Sequence, residues 1–155
     1  MPLPPLDNRG LLPAGIHETN WASIEYAFLN NVHRQELFAK AMCFFHGELS
    51  DAGAGLQLIL GGSFFSDKSL PEDIEATIYA PFSESYRKLA QLSNIDAHNR
   101  IKQTYGVDFY VSWDAGGSND FRLFFQYVGP KTAHQKGLNE HDLRGIVKVI
   151  EWQHG

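Results

Sequence analysis

The strongest constraint on the fold is a short apolar run that stops at two glycines. Leu56-Gln57-Leu58-Ile59-Leu60 leads directly into Gly61-Gly62-Ser63. An apolar run of this length bounded by glycine reads as a buried strand ending in a tight turn. After nine intervening residues, Asp73-Ile74-Glu75-Ala76-Thr77-Ile78-Tyr79 alternates polar and apolar side chains. That is the period of a strand with one face in a core. The alternation puts Asp73 and Glu75 on one face and Ile74, Ala76 and Ile78 on the other.

Helical periodicity and capping residues give most of the remaining elements. Thr19 or Asn20 is suited to cap a short helix through Trp21, Ile24, Tyr26 and Phe28, and Asn30 or Asn31 a longer one. Leu37, Ala41, Phe44, Phe45 and Leu49 recur on one face of the second helix, which Gly53 or Gly55 ends. Arg34, Glu36 and Lys40 are expected on its polar face, and Cys43 near the apolar one as a buried, inert thiol. Residues 63–68 read as one helical turn, and 83–92 and 96–105 as helices. Residues 107–113 read as a strand with Val107, Phe109 and Val111 on one side and Asp108 on the other. After the loop Asp114-Ala115-Gly116-Gly117, Ser118 is expected to cap a helix with Phe121, Phe124, Phe125 and Val128 on one face, ended by Gly129-Pro130. Residues 146–150 make a last strand. The prolines and glycines of residues 1–16 suggest an extended arm lying over a single domain, 17–155.

At 155 residues the chain suits one domain with a core that needs no disulfide or structural metal. Cys43 is the only cysteine, which excludes an internal disulfide and a thiolate cluster within one chain. The start of the chain lacks the pattern of a signal peptide, and no segment approaches about 18 apolar residues, so a cytoplasmic protein away from the membrane is expected. Thirteen Lys and Arg face 18 Asp and Glu, a formal net charge of −5, with no dense basic run. The charge does not point to a surface that grips nucleic acid, although a locally held nucleic-acid substrate remains compatible with it; a nucleotide, another small molecule or a protein is the expected partner.

The glycine turn and the acids have a common chemistry. Gly61 and Gly62 let the backbone come close to a ligand, and Ser63 opens a helical turn whose free N–H groups can bind phosphate oxygens. Carboxylates at alternate strand positions lie roughly 6–7 Å apart along the chain and can both reach divalent ions, for which hard oxygen ligands favour Mg²⁺ or Mn²⁺. Nucleotidyl transfer uses such an arrangement, because paired cations lower the charge on the attacking oxygen and the departing pyrophosphate of a nucleoside triphosphate. A third carboxylate is wanted, and Asp108 is preferred over Asp114, whose glycine loop suits a turn former. Lys68 is a further phosphate-binding candidate, although Asp67-Lys68 also has the composition of an ordinary polar turn. The seven histidines show no pair at the i, i+4 spacing of a zinc site, so surface or capping roles are expected.

An apolar strand, GGS, and then acid, apolar, acid, apolar at Asp73, Ile74, Glu75 and Ala76 resembles the DNA polymerase beta nucleotidyltransferase superfamily, with Asp108 as the later strand carboxylate. The whole chain is similar to a family of uncharacterised bacterial nucleotidyltransferase-like proteins. The residues that carry this likeness are Leu12-Pro13-Ala14-Gly15-Ile16-His17, Gly62-Ser63-Phe64-Phe65-Ser66-Asp67-Lys68, Pro71-Glu72-Asp73-Ile74-Glu75, Phe124-Phe125-Gln126, Lys136-Gly137 and Gly145-Ile146-Val147. The resemblance implies an α/β (α+β) nucleotidyltransferase fold, a mixed central β-sheet flanked by helices. It also implies Mg²⁺ and a nucleoside triphosphate as ligands, and a setting among toxin–antitoxin or phage-defence genes. Glu75 departs from the aspartate more usual at the second position. An enzyme that modifies a protein or small acceptor is therefore expected first. The alternative is a weakly catalytic module of the same fold, acting by contact as an antitoxin or regulator.

Overall fold

The computed structural model describes residues 2–154. Five strands form one mixed sheet in the order β1-β5-β2-β3-β4, and helices pack against it, an α+β architecture. The strands are β1 (Gly15–Thr19), β2 (Gln57–Gly61), β3 (Ile74–Pro81), β4 (Val107–Asp114) and β5 (Gly145–Val149). β1 runs parallel to β5 and β4 parallel to β3, while β2 is antiparallel to both of its neighbours. The apolar run therefore became the central strand, paired on both sides, as its uninterrupted hydrophobicity requires.

Residues 1–16 were expected to be an arm. Gly15 and Ile16 belong to β1, and Leu11 and Leu12 are fully buried, so the chain enters the core earlier than proline and glycine content suggests. Asn20 caps α1 (Trp21–Phe28), and Asn31 caps α2 (Val32–Phe44), each side chain accepting a main-chain N–H of the first turn. The rod continues through a π turn at Phe45–Leu49 into α3 (Ser50–Gly53). Leu37, Ala41, Phe44, Phe45 and Leu49 are all buried, as their spacing predicts.

Two residues of α2 depart from the helical reading. Cys43 is exposed, not buried. Arg34, expected on the polar face, is only 2% exposed. Its guanidinium donates to the carbonyls of Phe28, at the end of α1, and of Phe64, Ser66 and Lys68 beyond β2, and so satisfies main-chain acceptors outside the sheet ladders.

After β3 come α4 (Arg87–Gln91) and α5 (Ile95–Tyr105), the latter capped by Asn94. The long helix expected after Ser118 is a single turn, α6 (Phe121–Phe124), capped by Asp120. Gly129-Pro130 does not end a helix but begins one, α7 (Pro130–Lys136), since Gly129 takes a φ of 81° and proline suits a first helical position. The main core lies between one sheet face and α1, α2, α4 and α5, and joins Ile74, Ala76, Ile78, Val107 and Phe109 to the aromatic rings of the helices. The opposite face carries Glu75, Asp108 and Tyr110 and is only partly covered, by Phe121 and Phe125. Among the described residues no helix is long and apolar enough to cross a membrane.

Candidate functional site

Sheet register brings the expected residues to one end of the uncovered face. β2 ends at Gly61, whose register partner on β3 is Glu75. Glu75 is in turn the partner of Asp108 on β4. Neighbouring strands lie about 4.8 Å apart, so the two carboxylates project side by side. Asp73 precedes β3 by one residue, and its charge acts on Glu75 while that of Asp108 acts on both. Asp114 ends β4 about 20 Å further along the strand, opposite Pro81, and takes no part in the group.

The acids hold one another's protons. Burial, then the charges of Asp108 and Asp73, pushes the Glu75 carboxyl up to about 7, against the pull of Arg144 and Lys102. Burial and Asp108 likewise raise Asp73, opposed by the Lys102 ammonium 3.5 Å away. The Tyr110 hydroxyl, 3.5 Å from Oδ2 of Asp108, is pushed up to about 12 by burial and by that carboxylate. Oδ1 of Asp108 is buried and makes no hydrogen bond. Nε2 of His98 lies 3.2 Å from it, outside hydrogen-bonding geometry.

The turn is built for close approach. Gly62 has a φ of 85°, and a Cβ there would stand 2.9 Å from Oε2 of Glu75, so a side chain is refused both by conformation and by the acid. Ser63–Phe65 forms one 3₁₀ turn, shorter than the helical turn expected over 63–68, and Phe64 and Phe65 anchor it in the core against Phe28. Two buried arginines tie the turn down. Arg144 donates from Nη2 to the carbonyls of Gly62 and Phe65, and Arg34 holds the carbonyls on the other side.

A cavity of about 420 Å³ opens from the turn. Gly62, Ser63, Lys68, Glu75, Lys131 and Arg144 form its polar wall, and Tyr110, Phe121, Phe124 and Tyr127 its aromatic wall. Phe124 and Tyr127 are 50% and 42% exposed, so their rings are free to meet a ligand. A larger hollow, about 610 Å³, lies between the proline-rich arm and α1, but it gathers no group of acids, and the donors of its Arg34 are already taken. The smaller cavity is the one that meets the chemistry.

Gly61, Gly62, Ser63, Lys68, Asp73, Glu75 and Asp108 are thus gathered at one end of the sheet. Sequence reasoning passed over Arg144, His98 and Lys102. Arg144 had no signal beyond its place before a strand. His98 and Lys102 lie one turn apart on α5, the i, i+4 spacing that puts both on one face, and they meet Asp108 and Asp73 respectively. Among the described residues no three His, Cys, Asp or Glu side chains stand close enough to enclose an ion as they are.

The arrangement defines an α+β domain with a cavity at a sheet end whose wall holds Glu75 and, behind it, two further acids. The chain belongs to the DUF6932 family, a family of unknown function, which it matches over residues 4–150. No curated protein and no solved structure matches it.

Proposed function

We propose that the protein is a cytoplasmic, metal-dependent nucleotidyltransferase of the DNA polymerase beta type. It moves a nucleoside monophosphate from a nucleoside triphosphate to a hydroxyl on a protein or small acceptor, as part of a toxin–antitoxin or phage-defence pair. One observation carries the reading: Glu75 stands beside a glycine turn in the wall of a cavity with Lys68, Lys131 and Arg144, and Asp108 and Asp73 lie near enough for their charges to act on it. The donors suit Mg²⁺ or Mn²⁺, because they are hard oxygens, Asp108 raises the proton affinity of both other acids, and its own Oδ1 is buried without a hydrogen bond. Bound there, the cations supply charge neutralisation at the attacking oxygen and the departing pyrophosphate.

The chain's own residues do the positioning. Asp73, Glu75 and Asp108 hold the cations, and Asp108 takes the proton of the acceptor hydroxyl. The N–H groups after Gly62 and the Ser63 hydroxyl hold phosphate oxygens, while Lys68 and Lys131 balance the charge of the tail. Phe124 and Tyr127 offer exposed rings against which a base can stack. Arg144 keeps the turn open by pinning two of its carbonyls.

A module of the same fold acting by contact is the second reading. It is favoured by the acids not closing round one point and by Lys102 already lying on Asp73. Thermal melts with Mg²⁺ or Mn²⁺ and each triphosphate separate the two from no site at all, since a ligand held only by the folded chain raises the melting temperature. The expected result is a rise that needs both cation and nucleotide and disappears in Asp73→Ala, followed by transfer of α-labelled nucleotide to an acceptor. A rise without transfer to any candidate partner supports the contact module. No rise with any triphosphate overturns both the enzyme and its nucleotide.

A further inference from the structure

His98 stands in the first turn of α5, beside the edge strand β4, and its ring reaches round to the carboxylate face. Nδ1 lies 3.0 Å from the carbonyl oxygen of Phe109. A carbonyl only accepts, so Nδ1 carries the hydrogen, and in the neutral ring Nε2 is left with its lone pair. Nε2 is 3.2 Å from an Oδ1 of Asp108 that is buried and makes no hydrogen bond, and the Nε2 lone pair points off the line between the two atoms. Two electron-rich atoms at this distance repel unless a cation lies against both, and a proton on Nε2 would point past Oδ1 and leave it without a hydrogen bond.

The spacing is that of two ligands on one ion. Donors each about 2.1 Å from a metal are about 3.0 Å apart at a right angle and about 3.4 Å apart at a tetrahedral angle. The observed 3.2 Å falls between these values. A main-chain carbonyl on the far ring nitrogen is also the usual device that fixes the tautomer of a metal-binding histidine. Tyr110 packs on the imidazole, 5.0 Å between ring centres, and restrains its orientation.

We infer that Nε2 of His98 and Oδ1 of Asp108 are neighbouring ligands of one divalent ion, so that the site selects a first-row transition ion, Mn²⁺ included, over Mg²⁺. The inference rests on the metal-dependent reading above and adds a nitrogen donor to it. Imidazole suits transition ions, whereas Mg²⁺ prefers carboxylate, carbonyl and water. Glu75, the register partner of Asp108, supplies the next oxygen from β3.

The test uses the whole chain, labelled with ¹⁵N in histidine, titrated with Mn²⁺ and separately with Mg²⁺. Electron paramagnetic resonance counts bound Mn²⁺, and its pulsed form reads nitrogen coupling. Mn²⁺ is expected to bind at least about tenfold more tightly than Mg²⁺ and to show coupling to an imidazole nitrogen. His98→Asn keeps an N–H for the Phe109 carbonyl but lacks the second ring nitrogen. It is expected to weaken Mn²⁺ by about tenfold or more and abolish the coupling, with Mg²⁺ binding and the metal-free melting temperature unchanged. Mn²⁺ bound without nitrogen coupling, or an equal loss of both ions in the variant, overturns the inference and leaves the carboxylate site standing. Failure of both ions to bind the wild-type chain overturns the inference and the metal-dependent reading together.

Discussion

Glu75 lies mostly buried between like charges, and its carboxyl titrates near 7 instead of near the ordinary 4.5. Between those two values the folded chain keeps a proton that the unfolded chain has released. Stability from this group is therefore highest at the acid end of the window, falls as pH rises toward 7 and is level above it, a span of about 3 kcal/mol at most. Glu75→Gln carries the neutral form at every pH. Urea melts at pH 5 and pH 8 are expected to differ less in the variant by about 2–3 kcal/mol, with the variant the more stable protein at pH 8. The same pH dependence in both proteins would contradict the burial of the acid between Asp73 and Asp108. At this scale the acids were legible, because strand alternation alone sets which side chains share a face. His98 was not, since its meeting with Asp108 depends on how α5 packs against β4.

The turn from Gly62 to Lys68 is the element on which the site depends, and it has little regular hydrogen bonding of its own. Arg34 and Arg144 replace what a ladder would have supplied by donating to its carbonyls from two sides. Arg34→Met keeps much of the apolar stem but removes four donated bonds, and it leaves buried carbonyls without partners. A loss of about 3–5 kcal/mol in urea unfolding is expected, against less than about 1 kcal/mol for the exposed Lys40→Met on the same helix. Near-equal losses would show that the carbonyls find other partners. The sequence placed Arg34 at a polar helical position because charge is ordinarily read as exposure, and nothing local announced three carbonyls about 30 residues away. Residues 118–129 differ from the expected helix for the same reason: Phe121, Phe124 and Phe125 have helical spacing, yet Phe124 is half exposed on the cavity wall.

Across the whole molecule, β2 lies in the middle of the sheet with partners on both sides, while β1 and β4 are edges. Leu58, Leu60, Ala76, Ile78 and Val147 are at most 1% exposed. Their amides are expected to exchange only when the chain unfolds globally, and those of the edge strand β1 about a hundredfold or more faster. Hydrogen exchange followed residue by residue checks this, and β1 amides as slow as those of β2 would place the arm and edge within the most stable unit. The site sits where β2 ends and β3, β4 and β5 begin, so a stable sheet centre carries a partly covered, adaptable end.

The sequence by itself determined β2 to β5, narrowed the first two caps to Thr19 or Asn20 and Asn30 or Asn31, and set the alternation that turns Glu75 away from Ile74 and Ala76. Each of these follows from periodicity or from a side chain bonding its own neighbourhood. Only the tertiary structure decided the strand order, the burial of Arg34 and Arg144, and the approach of His98 to Asp108. Those depend on contacts between distant segments, whose energies come from burial and from unpaired polar groups meeting across the fold, and no local pattern encodes them.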